Sequence, residues 1–129
     1  DAELICAPRI SQVAGLAALR MAPPARLEFA RIIAARREQI CARLDAMPEL
    51  FSYQRPQGAY YVMVDISSLG FANDSEASEW FIREVGVAGV AGSSFFREPV
   101  NHLIRFHFAK KEETLRQAGE RLRRLRELR

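Results

Sequence analysis

The sequence predicts an α+β domain: a small, mostly antiparallel β-sheet covered by helices and entered through one long helix near the N-terminus. Three observations carry this reading. Apolar residues recur at helical spacing through residues 12–46 and 111–129. Residues 58–67 and 100–110 instead alternate in the two-residue period of strands and are rich in Tyr, Val, Ile and Phe. The segments run helix, helix, strand, helix, strand, strand, helix, an order that suits a single sheet with helices packed on it. With 129 residues, 49% of them hydrophobic, the chain is about one domain long and has enough apolar material for a core.

Each element has its own local signal. Ser11 is read as the N-cap of a short helix, 12–20, and the pair Pro23 and Pro24 ends it. Pro24 then suits the first turn of a long helix, 24–46, where its missing N–H is not needed. Ile33, Ile40, Leu44 and Met47 form its apolar face, and Arg36, Arg37, Glu38 and Arg43 its charged one. About 23 residues at 1.5 Å each give roughly 35 Å, long enough to bridge two domains. "GAYYVMVDIS", 58–67, reads as a strand with Tyr60, Val62 and Val64 on one face and Tyr61, Met63 and Asp65 on the other. A helix follows, capped by Asn73 or Asp74 and stopped at Gly86, with Ala77, Phe81 and Val85 inward. A short strand, 87–91, leads into the loop "GSSFFREPVN" and the strand "VNHLIRFHFAK". The last helix, 111–129, carries Leu115, Ala118, Leu122 and Leu125 as a heptad stripe, with Glu112 and Glu113 at its positive end.

Composition narrows the function classes. No stretch reaches the roughly 18 uncharged apolar residues of a membrane helix, and no secretory leader pattern opens the chain, so a cytoplasmic protein is expected. The first residue is Asp1, from which a processed, truncated or cloned piece of something longer is expected. Cys6 and Cys41 stand apart and are read as reduced thiols. Residues 110–129 hold eight Lys/Arg against four Glu, which leaves a non-enzymatic interaction module built on the basic C-terminal helix as an alternative function. A solvated helix face explains the same charges, and neither nucleic acid nor membrane is expected as a partner. "AGSSF" lacks the second glycine of a nucleophile elbow, since Phe96 stands there. His102 and His107 have no metal-ligand spacing, and Gly86, Gly89 and Gly92 do not make a phosphate loop. Trp80 and Phe81 are read as packing residues.

Arg105 stands out. Alternation puts Ile104, Phe106 and Phe108 on the core face of their strand, and Leu103, Arg105 and His107 on the other. A guanidinium cannot shed its charge, so it must meet water, a carboxylate of the protein or an anionic ligand. The neighbouring Gly-Ser-Ser loop permits close backbone approach, and the planar fork of arginine matches a carboxylate.

Taken together, "RPQGAYYVMVDIS" (55–67), "EVGVAGVAGSSFF" (84–96) and "LIRFHFAKKEETLRQAGERL" (103–122) resemble the C-terminal small domain of class I/II, fold-type I, pyridoxal-phosphate-dependent aminotransferases. "ICAPRISQVAGLAAL" (5–19) is similar to the segment that follows the cofactor-binding lysine in that family. The resemblance implies a domain at 1–129, with 1–48 leading from a missing large domain and 49–129 forming the sheet-and-helix body. It implies an amino acid or 2-oxo acid as substrate, with Arg105 binding its α-carboxylate. Pyridoxal phosphate is the implied cofactor of the full-length enzyme, and a homodimer its implied state. The strand and helix "LIRFHFAKKEETL" look like the kynurenine/glutamine type, which acts on neutral or aromatic amino acids. The family's proline before the Gly-Ser turn is Ala91 here, which relaxes the loop. The Schiff-base lysine, the aspartate for the pyridine nitrogen and the phosphate-binding residues have no counterpart. Lys110 and Lys111 are the only lysines and are read as surface residues, so the chain alone is expected to be inactive.

Overall fold

The computed structural model describes residues 6–21 and 23–128. It divides into two compact units, Asp1–Ile32 and Ile33–Arg129.

The first unit contains helix α1, Arg9–Arg20, and the opening turns of α2, Pro23–Asp45. The expected Ser11 cap lies inside α1. The helix starts earlier because Pro8 supplies a suitable φ and has no N–H to leave unpaired, while Gln12 closes the first turn on the Pro8 and Ala7 carbonyls at 3.1 and 2.7 Å. None of the residues of α1 is buried: Ile10, Val13, Leu16 and Leu19 all stand exposed.

The second unit is a four-stranded antiparallel sheet with helices against it. Its strands are β1 (Ser52–Tyr53), β2 (Tyr61–Asp65), β3 (Val90–Ala91) and β4 (Leu103–His107), in the order β1-β2-β4-β3. The expected 58–67 strand shortens to β2 because Ala59 takes a left-handed φ of 59°, which ends the extended run and leaves Tyr60 exposed outside it. The 87–91 strand shortens to β3, whose pairing with β4 begins only at Val90↔Arg105. Just before it, a Cβ on Gly89 would stand 2.3 Å from Ile104 Cγ2, so only glycine lets the chain lie this close to β4.

β2 and β4 pair Val62 with Phe106 and Val64 with Ile104, and these four buried residues form the floor of the core. Burial of each contributes roughly 1.5–3 kcal/mol before chain entropy is counted. Above them pack Leu44 from α2, Met47 just beyond it, Phe81, and Leu122 and Leu125. Phe81 is at the junction of helix α3, Asp74–Trp80, with the wider π-helical turn Phe81–Val85, where the sequence predicted one uniform helix. Asn73 caps α3 by accepting the Glu76 N–H at 2.9 Å, and Gly86 closes the π turn at φ 71°. Helix α4, Glu112–Arg123, buries Leu115, Gly119 and Leu122, and the following 3₁₀ turn Arg124–Arg126 buries Leu125. The predicted stripe is therefore the packed face, with Ala118 partly buried beside it.

Polar ties complete the unit. Tyr53 donates to Asp45 Oδ1 at 2.6 Å and so pins β1 to the end of α2. Arg126 donates to the Ala46 carbonyl at 2.8 Å and to Glu49 at 2.7 Å, satisfying an acceptor just past that helix. Cys41 is buried and Cys6 exposed, both as free thiols. No helix of the described residues is long and apolar enough to cross a membrane.

Candidate carboxylate-binding site

The face of the sheet opposite the core is set by register. Tyr61 lies across from His107, Met63 from Arg105 and Asp65 from Leu103, while Val90 flanks Arg105 on its other side. Arg105 thus sits mid-strand between two hydrogen-bonded neighbours, a rigid mount for a long side chain.

The turn after β3, the 3₁₀ segment Gly92–Phe95, closes over one side of this face. A Cβ on Gly92 would fall 2.6 Å from Leu103 Cβ and 2.8 Å from the Leu103 carbonyl oxygen, so the missing side chain lets the turn rest on β4. Asp74 anchors the same turn. Its carboxylate, 1% exposed, accepts the Ser93 N–H at 2.7 Å and the Ser93 hydroxyl at 2.9 Å. Asp74 is also the first residue of α3, where the helix dipole favours negative charge.

That arrangement delivers Phe95 to Arg105. The guanidinium carbon lies 4.1 Å from the Phe95 ring centroid and 5.3 Å from that of Tyr61. Each contact of this kind is worth roughly 0.5–2 kcal/mol, more as water is excluded. The Arg105 Nε is buried and hydrogen-bonded to nothing, and among the described residues no aspartate or glutamate pairs with the guanidinium. An arginine held by aromatic faces while its N–H donors lack a carboxylate is suited to an anionic ligand, because stacking occupies the face of the fork and leaves its in-plane donors.

His107 borders the site. Loss of water around its ring, then the Lys110 and Arg105 cations, hold its pKa below the usual histidine value, so it is neutral at neutral pH and adds no charge beside Arg105. Tyr60 stands edge-on to both Tyr61 and His107 at centroid distances of 5.9 and 6.4 Å. Register alone put Tyr61 on this face. Phe95, Ser93 and Asp74 escaped the sequence reading, because a loop position has no periodicity and Asp74 looked like a helix cap.

Other candidates fare differently. Lys110 and Lys111 are both exposed. Among the described residues no group of three His, Cys, Asp or Glu side chains is placed to hold a metal. On α4, Arg116 bonds Glu113 and Glu120, and Arg121 donates to the Gly86 carbonyl at 2.7 Å, so part of the basic helix is spent on contacts within the chain. A cleft of about 380 Å³ lies between α4 and residues 86–90, lined by Ile40, Phe106 and Leu115 among others; Arg105 is not in its wall.

Comparison with known proteins gives a consistent picture. The chain is 46% identical over 70 residues to the methionine aminotransferase of Escherichia coli, a match covering 54% of this chain and 18% of that enzyme. It is 30% identical over 113 residues to the aspartate aminotransferase of Pyrococcus horikoshii, covering 86% and 28% respectively. Among solved structures, the alanine aminotransferase of Pyrococcus furiosus superposes with a TM-score of 0.83 at 28% identity, over 96% of this chain and 31% of that one. The chain therefore spans between about a fifth and a third of the length of these relatives. No protein-family model matches it.

Proposed function

We propose that residues 1–129 are the C-terminal portion of a pyridoxal-phosphate-dependent aminotransferase of class I/II, in which Arg105 binds the α-carboxylate of the amino acid or 2-oxo acid. The likeness to aminotransferases along most of this chain supports the class of enzyme. The observation that carries the residue assignment is the Arg105 guanidinium, held by Phe95 and Tyr61 with no carboxylate of the described chain upon it.

This chain's own residues do not fit the cofactor. A lysine that bonds pyridoxal phosphate must be kept neutral by burial or by neighbouring cations in a pocket, whereas Lys110 and Lys111 are exposed at the junction before α4. The cofactor's chemistry, stabilising negative charge at the substrate carbon, then belongs to the rest of the enzyme. What this portion supplies is orientation. Two parallel N–H···O bonds fix the plane and direction of a carboxylate, and with it the direction of the adjacent Cα–H bond. The aromatic rings and neutral His107 around the fork reduce competing water and charge.

In this reading the portion docks on a large domain of the same enzyme, which works as a homodimer in the cytoplasm. The exposed apolar residues of α1 support such docking. The engaged arginines of α4 count against a nucleic-acid module. The test is amino transfer by the longest natural chain carrying this segment, with Arg105→Lys as probe. Losing a bidentate bond to a charge costs roughly 1.5–3 kcal/mol, about a 10- to 100-fold fall in kcat/KM. An unchanged KM and kcat would remove Arg105 from the role.

A further inference from the structure

We propose that Phe95 is a positioning residue for Arg105, assisted by Tyr61, and that Asp74 acts at a distance by locking the turn that carries Phe95. The inference rests on Arg105 being the carboxylate-binding residue and adds what aims it.

An arginine side chain has four rotatable bonds and loses precision unless something holds it. The usual holder, a carboxylate of the same protein, would occupy the N–H donors that a ligand needs. Here the holder is the flat face of Phe95, 4.1 Å below the guanidinium carbon, with Tyr61 at 5.3 Å. A ring face this close to the guanidinium carbon limits where the fork can lie, while its buried Nε has no hydrogen-bond partner and no carboxylate of the described residues pairs with it. Phe95 is 48% exposed, so core packing does not account for its position.

What keeps Phe95 in place lies two residues back. Ser93 gives both its N–H and its hydroxyl to Asp74, and Gly92 rests on the Leu103 backbone. The turn is thereby tied to α3 on one side and to β4 on the other. With Ala91 where a proline would stiffen the entry to the turn, the double hydrogen bond to Asp74 is the polar restraint on it, beside the close packing of Gly92 on Leu103. A chain of contacts thus runs from the start of α3 to the guanidinium: Asp74, Ser93, Phe95, Arg105.

Two readouts decide it. In the 129-residue chain, ring current from Phe95 should shift the Arg105 Nε–H proton upfield. Phe95→Leu should abolish that shift and Phe95→Tyr preserve it. In the longest natural chain that carries residues 1–129, pyruvate, a simple 2-oxo acid, is titrated calorimetrically. Phe95→Leu should weaken binding roughly three- to tenfold and Phe95→Tyr restore it to within about twofold. Asp74→Asn, or the milder Ser93→Ala, should weaken it in the same direction through a displaced Phe95. If Arg105→Lys weakens binding while Phe95→Leu leaves it unchanged, the positioning role is overturned and the carboxylate role stands. Normal binding by both Asp74→Asn and Ser93→Ala, beside a weakened Phe95→Leu, overturns the Asp74 link. Should Arg105→Lys bind pyruvate like the wild type, the carboxylate role fails and takes this inference with it.

Discussion

Asp74 and Ser93, 19 residues apart in sequence, are joined by two hydrogen bonds, from the serine N–H at 2.7 Å and from its hydroxyl at 2.9 Å. The pair couples the first turn of α3 to the turn beside Arg105, so its removal is felt in stability as well as in binding. Ser93→Ala deletes one donor to a buried charge and should cost about 1–3 kcal/mol. Asp74→Ala strands both Ser93 donors and should cost at least as much. Because the two substitutions break one interaction, the double variant should be less destabilised than the sum, a coupling that urea denaturation of all four proteins measures directly.

A methyl group would meet different obstacles at Gly92 and at Gly119, backbone at the first and a side chain at the second. A methyl on Gly92 meets the Leu103 carbonyl oxygen at 2.8 Å, and backbone cannot step aside, so Gly92→Ala should destabilise by about 1–3 kcal/mol. On Gly119 the methyl meets the side-chain stem of Arg43 at 2.9 Å, which can swing away. Alanine also favours a helix over glycine by about 1 kcal/mol. Gly119→Ala should thus be close to neutral, and paired with Arg43→Ala it should stabilise relative to Arg43→Ala alone. Thermal melts of the four variants check both claims.

The first turn of α4 should soften in acid. A hydrogen bond from Arg116, then one from Gln117, holds Glu113 at a pKa of about 2, below the ordinary 4.5. A carboxyl whose folded value is depressed contributes stability above its unfolded pKa and loses it as pH falls through the folded one. The window is therefore pH 4.5 down to about 2. Carboxylate NMR should find Glu113 titrating well below the ordinary 4.5, and Arg116→Ala should return it toward that value. An ordinary titration in the wild type would contradict the Glu113–Arg116 geometry.

The 129-residue chain alone should not capture the cofactor. Incubated with pyridoxal phosphate and borohydride, it should show no stoichiometric adduct at one lysine, since Lys110 and Lys111 are equivalent, exposed amines. Peptide mapping after reduction gives the answer. One fully labelled lysine would overturn the division of labour proposed here.

Much of this was legible in the sequence, and the parts that were not share a physical cause. Period-two alternation identified Ile104, Phe106 and Phe108 as core and set Arg105 on the opposite face, as observed. The heptad of α4 and the Asn73 cap were equally local signals. Boundaries failed where a single backbone event intervened: the left-handed Ala59 that truncates β2, and Pro8, which starts α1 ahead of Ser11. β1, two residues long, is too short to carry a period. The surroundings of Arg105 depend on long-range contacts, Asp74 to Ser93 and Gly92 to Leu103, so nothing near Phe95 in sequence announces where its ring will lie.

The most direct measurement is a crystal structure of the longest natural chain carrying this segment, soaked with a 2-oxo acid or an unreactive carboxylate analogue. The ligand carboxylate should lie in the plane of the Arg105 fork, with two N···O distances of about 2.7–2.9 Å and the Phe95 ring still stacked behind it. A carboxylate bound to another cation, with Arg105 turned away or paired to an acidic residue of the protein, would contradict the account.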